Sequence, residues 1–266
     1  MKKLTADKLF DTKDFELIRS VGDNRIYFRH QDQALSLDTK IYRYIRLDHT
    51  MEILDKAVLH VSNRKNFTDV KDWSGKEKYI NGSDFNNYDV ALSSKDKKWR
   101  RTQQEIKDQI MKICISCWTL DEYGENFLMW KAYKSGELVC RIGTTIRKFI
   151  NNIIPPCDVM ISDVRYVKSS IGCNPECLTF EKSIYYAGEK EVRMAFLEQS
   201  SELKIPIENI DDFIESITFS PFLHHRIENM IITGLKNRYK EYANRIHQSK
   251  LMEYNDCKET ETKPKK

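Results

Sequence analysis

Polar and apolar residues alternate with a period of two along several short segments, which is the pattern of β-strands with one buried face. The same segments are rich in β-branched and aromatic residues, which favour strands. Near the start, residues 15–19 and 26–28 flank a turn at Gly22-Asp23-Asn24, which predicts a hairpin. Elsewhere the alternation predicts strands at residues 41–47, 57–62, 112–119, 137–144, 159–168 and 188–196.

Apolar residues spaced three or four positions apart predict helices between these strands. Asp48 is expected to cap the first helix, and Thr102 with Glu105 forms a capping box for the second. Ser220 followed by Pro221 marks the start of a long C-terminal helix, because Pro is favoured at the first helical position. The predicted helices cover residues 49–56, 102–113, 126–134, 210–217 and 220–246.

Changes in composition divide the chain into three parts. Residues 1–40 are mostly polar and are interpreted as an N-terminal extension that holds the predicted hairpin. Residues 41–250 are expected to form a single domain, interrupted by a polar insertion at 71–101. Residues 251–266 end in a charged, Pro-interrupted run, which is typical of a disordered tail.

The overall composition narrows the class of protein. Hydrophobic residues make up 40% of the 266-residue chain, which suffices for a real core. The net charge of +4 is mild and does not by itself imply a nucleic-acid partner. No apolar run approaches the length of a membrane span, and the first residues have no apolar signal-peptide core. A soluble, cytoplasmic protein with no membrane partner is therefore expected.

The cysteines have two interpretations, as free thiols and as metal ligands. Seven cysteines, an odd number, fit reduced intracellular thiols better than a disulfide framework. Cys114, Cys117, Cys173 and Cys177 can be read as four zinc ligands. However, Cys114 and Cys117 point to opposite faces if they lie on a strand, and no second close Cys-x-x-Cys pair occurs. No metal is expected.

The strand predicted at 188–196 carries the clearest candidate chemistry. Its alternation places Glu189, Glu191 and Arg193 on the face opposite the apolar side chains. Two carboxylates this close perturb each other's ionisation, and the Arg can hold one of them charged. The group is interpreted either as a charged face or ion pair, or as a site that stabilises a cation or accepts a proton.

A second candidate lies on the strand predicted at 41–47. Arg43 falls in an otherwise aliphatic row, so a buried guanidinium there needs an acid or an anionic ligand as its partner. Tyr42 and Tyr44 share the other face. Trp130 and Tyr133 cluster on the helix predicted at 126–134, as core residues or as surfaces on which a ligand stacks.

A basic run at residues 95–101 is interpreted as a solvated face or as a nucleic-acid contact. The second interpretation draws on Trp73 and Trp99, which interleave with the basic residues.

Four stretches of the chain follow the order of a known bacterial family. They are Tyr42-Arg43-Tyr44, residues 66–72, Cys117 through Met129-Trp130-Lys131-Ala132-Tyr133, and residues 186–193, which contain Glu189-Lys190-Glu191-Val192-Arg193. In these stretches the chain resembles the family known only as domain of unknown function twenty-nine seventy-one, over residues 41 to about 235. The family's signatures are a Phe-Asn-Asp-Pro loop, a Met-Trp-x-x-Tyr helix and a Glu-x-Glu-x-Arg strand. This chain departs from them at Thr68, at Val70 and just before Tyr133, where a His is common.

The order of Arg43, Ser116 with Thr119, and Glu189-x-Glu191 also resembles the ADP-ribosyltransferase plan of Arg, Ser and Glu. That resemblance implies an α+β fold with a mixed, mainly antiparallel split β-sheet and flanking helices. It also implies NAD as a substrate, with ADP-ribose passed to a protein or nucleic-acid acceptor, as in a bacterial toxin or a phage-defence effector.

The same resemblance implies roles for individual residues. Cleavage of the nicotinamide–ribose bond passes through an oxocarbenium-like species, which a fixed carboxylate stabilises. Glu191 would hold the ribose, Glu189 would act on the acceptor, and Ser116 would brace Glu191. The remaining candidates would bind NAD by phosphate contact or ring stacking: Arg43, Tyr42, Tyr44, Trp130, Tyr133 and Arg193. The alternative is a non-catalytic ligand- or nucleic-acid-binding module in which the Glu-x-Glu-x-Arg strand is a structural ion-pair network.

Overall fold

The computed structural model describes residues 4–29, 35–63, 105, 108–121, 124–133, 138–168, 175–223 and 225–252. The predicted insertion at 71–101, its basic run and nearly all of the predicted tail lie outside these residues. The helix predicted at 102–113 falls only partly within them.

The described part of the chain is mixed α+β. Its helices are α1 (Ala6–Leu9), α2 (Leu47–Lys56), α3 (Phe127–Ala132), α4 (Ile146–Asn152), α5 (Pro175–Phe180), α6 (Ile210–Phe213) and α7 (His225–Arg238). Its strands are β1 (Glu16–Val21), β2 (Asn24–Phe28), β3 (Lys40–Arg46), β4 (Val58–Asn63), β5 (Ile113–Thr119), β6 (Val139–Thr145), β7 (Val159–Asp163), β8 (Arg165–Val167), β9 (Glu181–Ser183), β10 (Glu191–Gln199), β11 (Glu202–Pro206), β12 (Ser216–Phe219) and β13 (Ile246–His247).

The first of two compact units contains residues 1–36, 60–117 and 154–205. Its strands follow the order β1-β2-β7-β10-β5, and β4 pairs with both β5 and β11. Most of these pairs are antiparallel, whereas β2 and β7 run parallel. The predicted hairpin is confirmed as β1 and β2. Strand β10 has neighbours on both sides, and every residue from its start through Leu197 is buried.

The second unit contains residues 37–59, 118–153 and 206–266. Strand β6 pairs antiparallel with β3 and with β12, and β12 pairs parallel with β13. The last residue of β5, Thr119, opposes Tyr42 of β3. Two clusters fill the core of this unit. Trp118 packs edge-on against Phe149 and Phe213, and Tyr44 packs with Trp130 and Val139.

Several predicted elements differ from the structure. The segment 210–217 was predicted as one helix, but α6 ends at Phe213 and β12 follows. A short apolar run fits both the helical period of 3.6 and the strand period of 2. The residues after Phe213 form a strand because β12 pairs with β6 and β13. The long C-terminal helix also ends early, at Arg238. The apolar stripe continues through a 3₁₀ turn, Lys240–Arg245, into β13, where Ile246 pairs with Ile217.

A third difference is the start of α2. Asp48 was predicted as its cap, but the cap is Arg46, which makes no side-chain capping bond. Asp48 lies in the first helical turn, where it accepts from the backbone N–H of His49 at 2.9 Å and pairs with Arg46.

Helix α2 ends in a residue that is strained by its own side chain. Ala57 adopts the left-handed conformation, with φ of 50°, and its N–H donates to the carbonyl of Ile53 at 3.0 Å. Glycine is the usual residue at such a position because it has no Cβ to clash.

We expect Ala57→Gly to raise the free energy of unfolding by about 1 kcal/mol, because it removes the cost of a left-handed Ala. Chemical denaturation measures the change. Ala132→Gly is the matched control, since Ala132 is the last residue of α3 and is not among the residues with a positive φ. The control should destabilise the protein, and a loss of stability with both variants would contradict the prediction.

Candidate functional site

The residues predicted to form one NAD site are divided between the two units. Glu189, Glu191, Arg193 and Ser116 belong to the first unit. The predicted cofactor-binding residues of the second unit are Arg43, Tyr42, Tyr44, Trp130 and Tyr133. Each group is described within its own unit.

Glu191 and Arg193 form a bidentate ion pair at the start of β10. Being two residues apart, they lie on the same side of the strand. Arg193 donates from Nε to Glu191 Oε1 at 3.0 Å and from Nη2 to Oε2 at 3.1 Å. Its Nη1 donates to the carbonyl of Thr179 at 2.9 Å. Glu191 is 6% exposed and Arg193 2%, so water has almost no access to either charge.

A buried lysine completes this network. Lys182 on β9 places Nζ 3.6 Å from Glu191 Oε2 and 2.6 Å from Glu189 Oε2. The same ammonium lies 4.4 Å from the centre of the Tyr186 ring. Lys182 did not appear among the predicted site residues, because nothing in the local pattern of a short strand distinguishes a buried lysine from an exposed one.

Glu189 is not on the strand that the sequence predicted. It ends a 3₁₀ turn, Ile184–Glu189, and Lys190 follows in the left-handed conformation with φ of 44°. This backbone reversal breaks the alternation that would have placed Glu189 beside Glu191. The Glu189 side chain remains 28% exposed, so it is the more accessible of the two carboxylates.

The surroundings of Glu191 keep it ionised. Burial is the largest effect and would raise its pKa, but the charges of Arg193 and Lys182 and the bonds from Arg193 and Cys117 together lower the pKa to about 2. Burial raises the pKa of the Cys117 thiol well above its ordinary value, so the thiol donates to Glu191. Tyr166 accepts from the backbone N–H of Glu191 at 2.9 Å.

Ser116 lies next to Cys117 on β5 and is fully buried. Adjacent strand residues point to opposite faces, and it is Cys117 that contacts the Glu191 carboxylate. The brace predicted for Ser116 stays a prediction.

Two of the four cysteines considered as zinc ligands contact other groups. The Cys114 thiol donates to the carbonyl of Ser200 at 3.5 Å, whereas Cys117 is bonded to Glu191. Burial raises the pKa of Cys114 to about 11, so the thiol stays protonated at neutral pH. Cys173 lies outside the described residues.

In the second unit, the structure brings three of the predicted aromatic residues together. Tyr44 lies edge-on to Trp130 with ring centres 4.7 Å apart, and it stacks on Tyr133 at 5.9 Å. Tyr44 and Trp130 are buried, and the Trp130 indole N–H donates to Glu125 at 2.9 Å. These two residues belong to the core. Tyr133 is 41% exposed and presents the ring that a ligand could reach.

An arginine that the sequence analysis missed joins this cluster. Arg141 on β6 directly opposes Tyr44 of β3. Its guanidinium carbon lies 4.3 Å from the centre of the Tyr42 ring, and Nη1 donates to Asp121 Oδ2 at 2.7 Å. Tyr44 also donates to Asp121, at 2.9 Å. Burial raises the pKa of Asp121 despite these bonds.

Glycine at position 143 makes room for the Tyr42 ring. A Cβ on Gly143 would lie 3.0 Å from Tyr42 Cε1 and in conflict with Ser216 Oγ. Arg43, the predicted phosphate ligand, is half-buried on the neighbouring position of β3 and opposes Ile142. Its role stays a prediction.

Comparisons with models of known protein families, with curated proteins and with solved structures gave no match to this chain. The two family resemblances therefore remain predictions. Within the described residues, the helices are too short or too polar to cross a membrane.

We expect Glu191→Gln to lower the free energy of unfolding by about 3 kcal/mol, because it leaves Arg193 buried without a charged partner. It also removes one of the two carboxylates that face Lys182, which keeps Glu189. Urea denaturation at neutral pH measures this loss. Glu52→Gln is the control, since Glu52 is 26% exposed and pairs with an exposed lysine, Lys56, so its substitution should change stability little. Equal effects of the two substitutions would contradict the buried-pair interpretation.

The same carboxylate predicts a pH dependence. Its folded-state pKa is about 2 against an ordinary 4.5, so its contribution is complete above pH 4.5 and declines as the pH falls toward 2. The shift corresponds to about 3 kcal/mol. The stability difference between wild type and Glu191→Gln should therefore narrow between pH 5 and pH 2. A difference that stays constant over this range would show that Glu191 does not titrate with a lowered pKa.

Proposed function

We propose that the chain is a non-catalytic binding module, for a small ligand or a nucleic acid, in which Glu191 and Arg193 are a structural ion pair. One observation carries this proposal: Arg193 donates to both oxygens of a carboxylate that is 6% exposed. A carboxylate that stabilises an oxocarbenium ion must present an oxygen to the sugar. Both oxygens of Glu191 are occupied, and freeing one would leave a buried guanidinium short of a partner.

A second candidate function is NAD-dependent transfer of ADP-ribose to a protein or a nucleic acid, as in a bacterial toxin or phage-defence effector. The observation that favours it is Glu189. This carboxylate is 28% exposed and held by Lys182, so a charged group is fixed where a ligand could reach it. The resemblance assigns the ribose to Glu191 and a phosphate to Arg43. In this candidate the Glu191–Arg193 pair must open when NAD binds.

We expect the purified chain to leave NAD unconsumed, alone or with a cell extract as the source of acceptors. Nicotinamide release, followed by chromatography, is the measurement. The physical reason is that Glu191 is buried and that both of its oxygens already accept from Arg193.

Nicotinamide release that is lost in Glu189→Gln and in Glu191→Gln would overturn this proposal in favour of the transferase. Glu202→Gln is the matched control, because Glu202 is an accessible carboxylate of the same unit, paired with His60. A rise in melting temperature with NAD but without nicotinamide release would support a binding module, because a ligand of the native state stabilises it by mass action.

A further inference from the structure

Arg141 in the second unit keeps one edge of its guanidinium without a hydrogen bond. Both of its strong contacts use Nη1, which donates to Asp121 Oδ2 at 2.7 Å and to the carbonyl of Gly124 at 2.9 Å. Nε is buried and has no hydrogen-bond partner. Among the described residues, none accepts a hydrogen bond from Nη2 either.

A buried donor without a partner is unusual, because folding removes its water without replacing the bond. The Nε–H of Arg141 is such a donor, because the residue is 8% exposed and Nε itself is buried. Arg193 in the first unit provides the contrast, since its Nε, Nη1 and Nη2 all donate. A buried arginine of this protein can therefore use all of its nitrogens as donors, and Arg141 does not.

The unused donors form the edge of the guanidinium that best recognises an anion. Nε–H and one Nη2–H point the same way, and their spacing matches the two oxygens of a carboxylate or of a phosphate. The rest of the side chain is already held in place by Asp121, by the carbonyl of Gly124 and by the Tyr42 ring. Because the edge is fixed before binding, little freedom is lost when an anion arrives.

The carboxylate of Asp121 disfavours an anion at this edge. Its negative charge already offsets that of Arg141 and would repel a second anion. However, Asp121 Oδ2 also accepts from Tyr44, so its charge is shared between two donors. It lies against Nη1, on the side of the guanidinium away from the edge that Nε and Nη2 form.

We propose that the Nε and Nη2 edge of Arg141 binds one anionic oxygen group, a phosphate or a carboxylate, of the ligand that this module takes. The assignment names the ligand chemistry of the proposed binding module and in that respect rests on the proposed function. It does not depend on whether Glu191 has a catalytic role.

The test is a titration of the full-length chain with sodium phosphate and, separately, with sodium acetate. Sodium chloride keeps the ionic strength constant throughout. We expect a saturable rise in melting temperature with at least one of the two anions, and the anion with the larger rise identifies the oxygen group. Arg141→Lys keeps the charge but loses the two-donor edge, so it should lose the saturable rise.

Arg147→Lys is the matched control. Arg147 also forms a two-point pair with an aspartate, Asp38, but is exposed, so its substitution should leave the titration unchanged. An equal rise in wild type and in Arg141→Lys would overturn the proposal, as would no rise above that with chloride. The latter result would mean that water satisfies the two donors.

A second measurement covers the case in which Arg141→Lys fails to fold. The Nε–H resonance of Arg141 in wild type should shift on titration with the bound anion, and an unmoved resonance would overturn the proposal. The two proposals fail separately. Nicotinamide release lost in Glu191→Gln would end the non-catalytic proposal, and an intact response to phosphate or acetate would still retain the Arg141 site.

Discussion

The first unit depends on the rule that a charge removed from water must be paired. Its central strand β10 brings a carboxylate and a guanidinium into an interior where both are less than a tenth exposed. Arg193 solves this locally by bonding Glu191 on its own strand, and it then reaches the carbonyl of Thr179 in α5. Lys182 extends the network to Glu189, which ties the 3₁₀ turn to the same group of charges. Charge pairing therefore links this turn and β9 to the start of β10.

The second unit contains a smaller network built on the same rule but completed differently. Asp121 accepts hydrogen bonds from Arg141 and Tyr44, and these bonds connect the segment after β5 to strands β3 and β6. In the first unit the guanidinium uses all three of its nitrogens as donors. In the second unit it uses one. This difference between two buried arginines is the reason that the first network is interpreted as structural and the second as a place where a ligand binds.

The contrast also bears on chemistry. A carboxylate that stabilises an oxocarbenium ion must be ionised and must present an oxygen to the sugar. Glu191 has the first property and lacks the second, because the donors that lower its pKa occupy its oxygens. Glu189 has an accessible side chain and is paired with Lys182. The pair therefore separates into one residue that holds the fold and one residue that meets solvent.

Local sequence patterns were sufficient for much of this protein and insufficient for the rest. Alternation located β3, β5 and β6 to within two residues, and the turn at Gly22 located the first hairpin, because these signals act between near neighbours in the chain. The stripe that continues past Arg238 could not show where α7 ends, since the pairing of Ile246 with Ile217 is made between distant segments. Local sequence patterns also could not predict three other features: the burial of Lys182, the backbone reversal at Lys190 and the unused edge of Arg141. Each depends on which residues surround a side chain in three dimensions, and a pattern of neighbours along the chain does not contain that information.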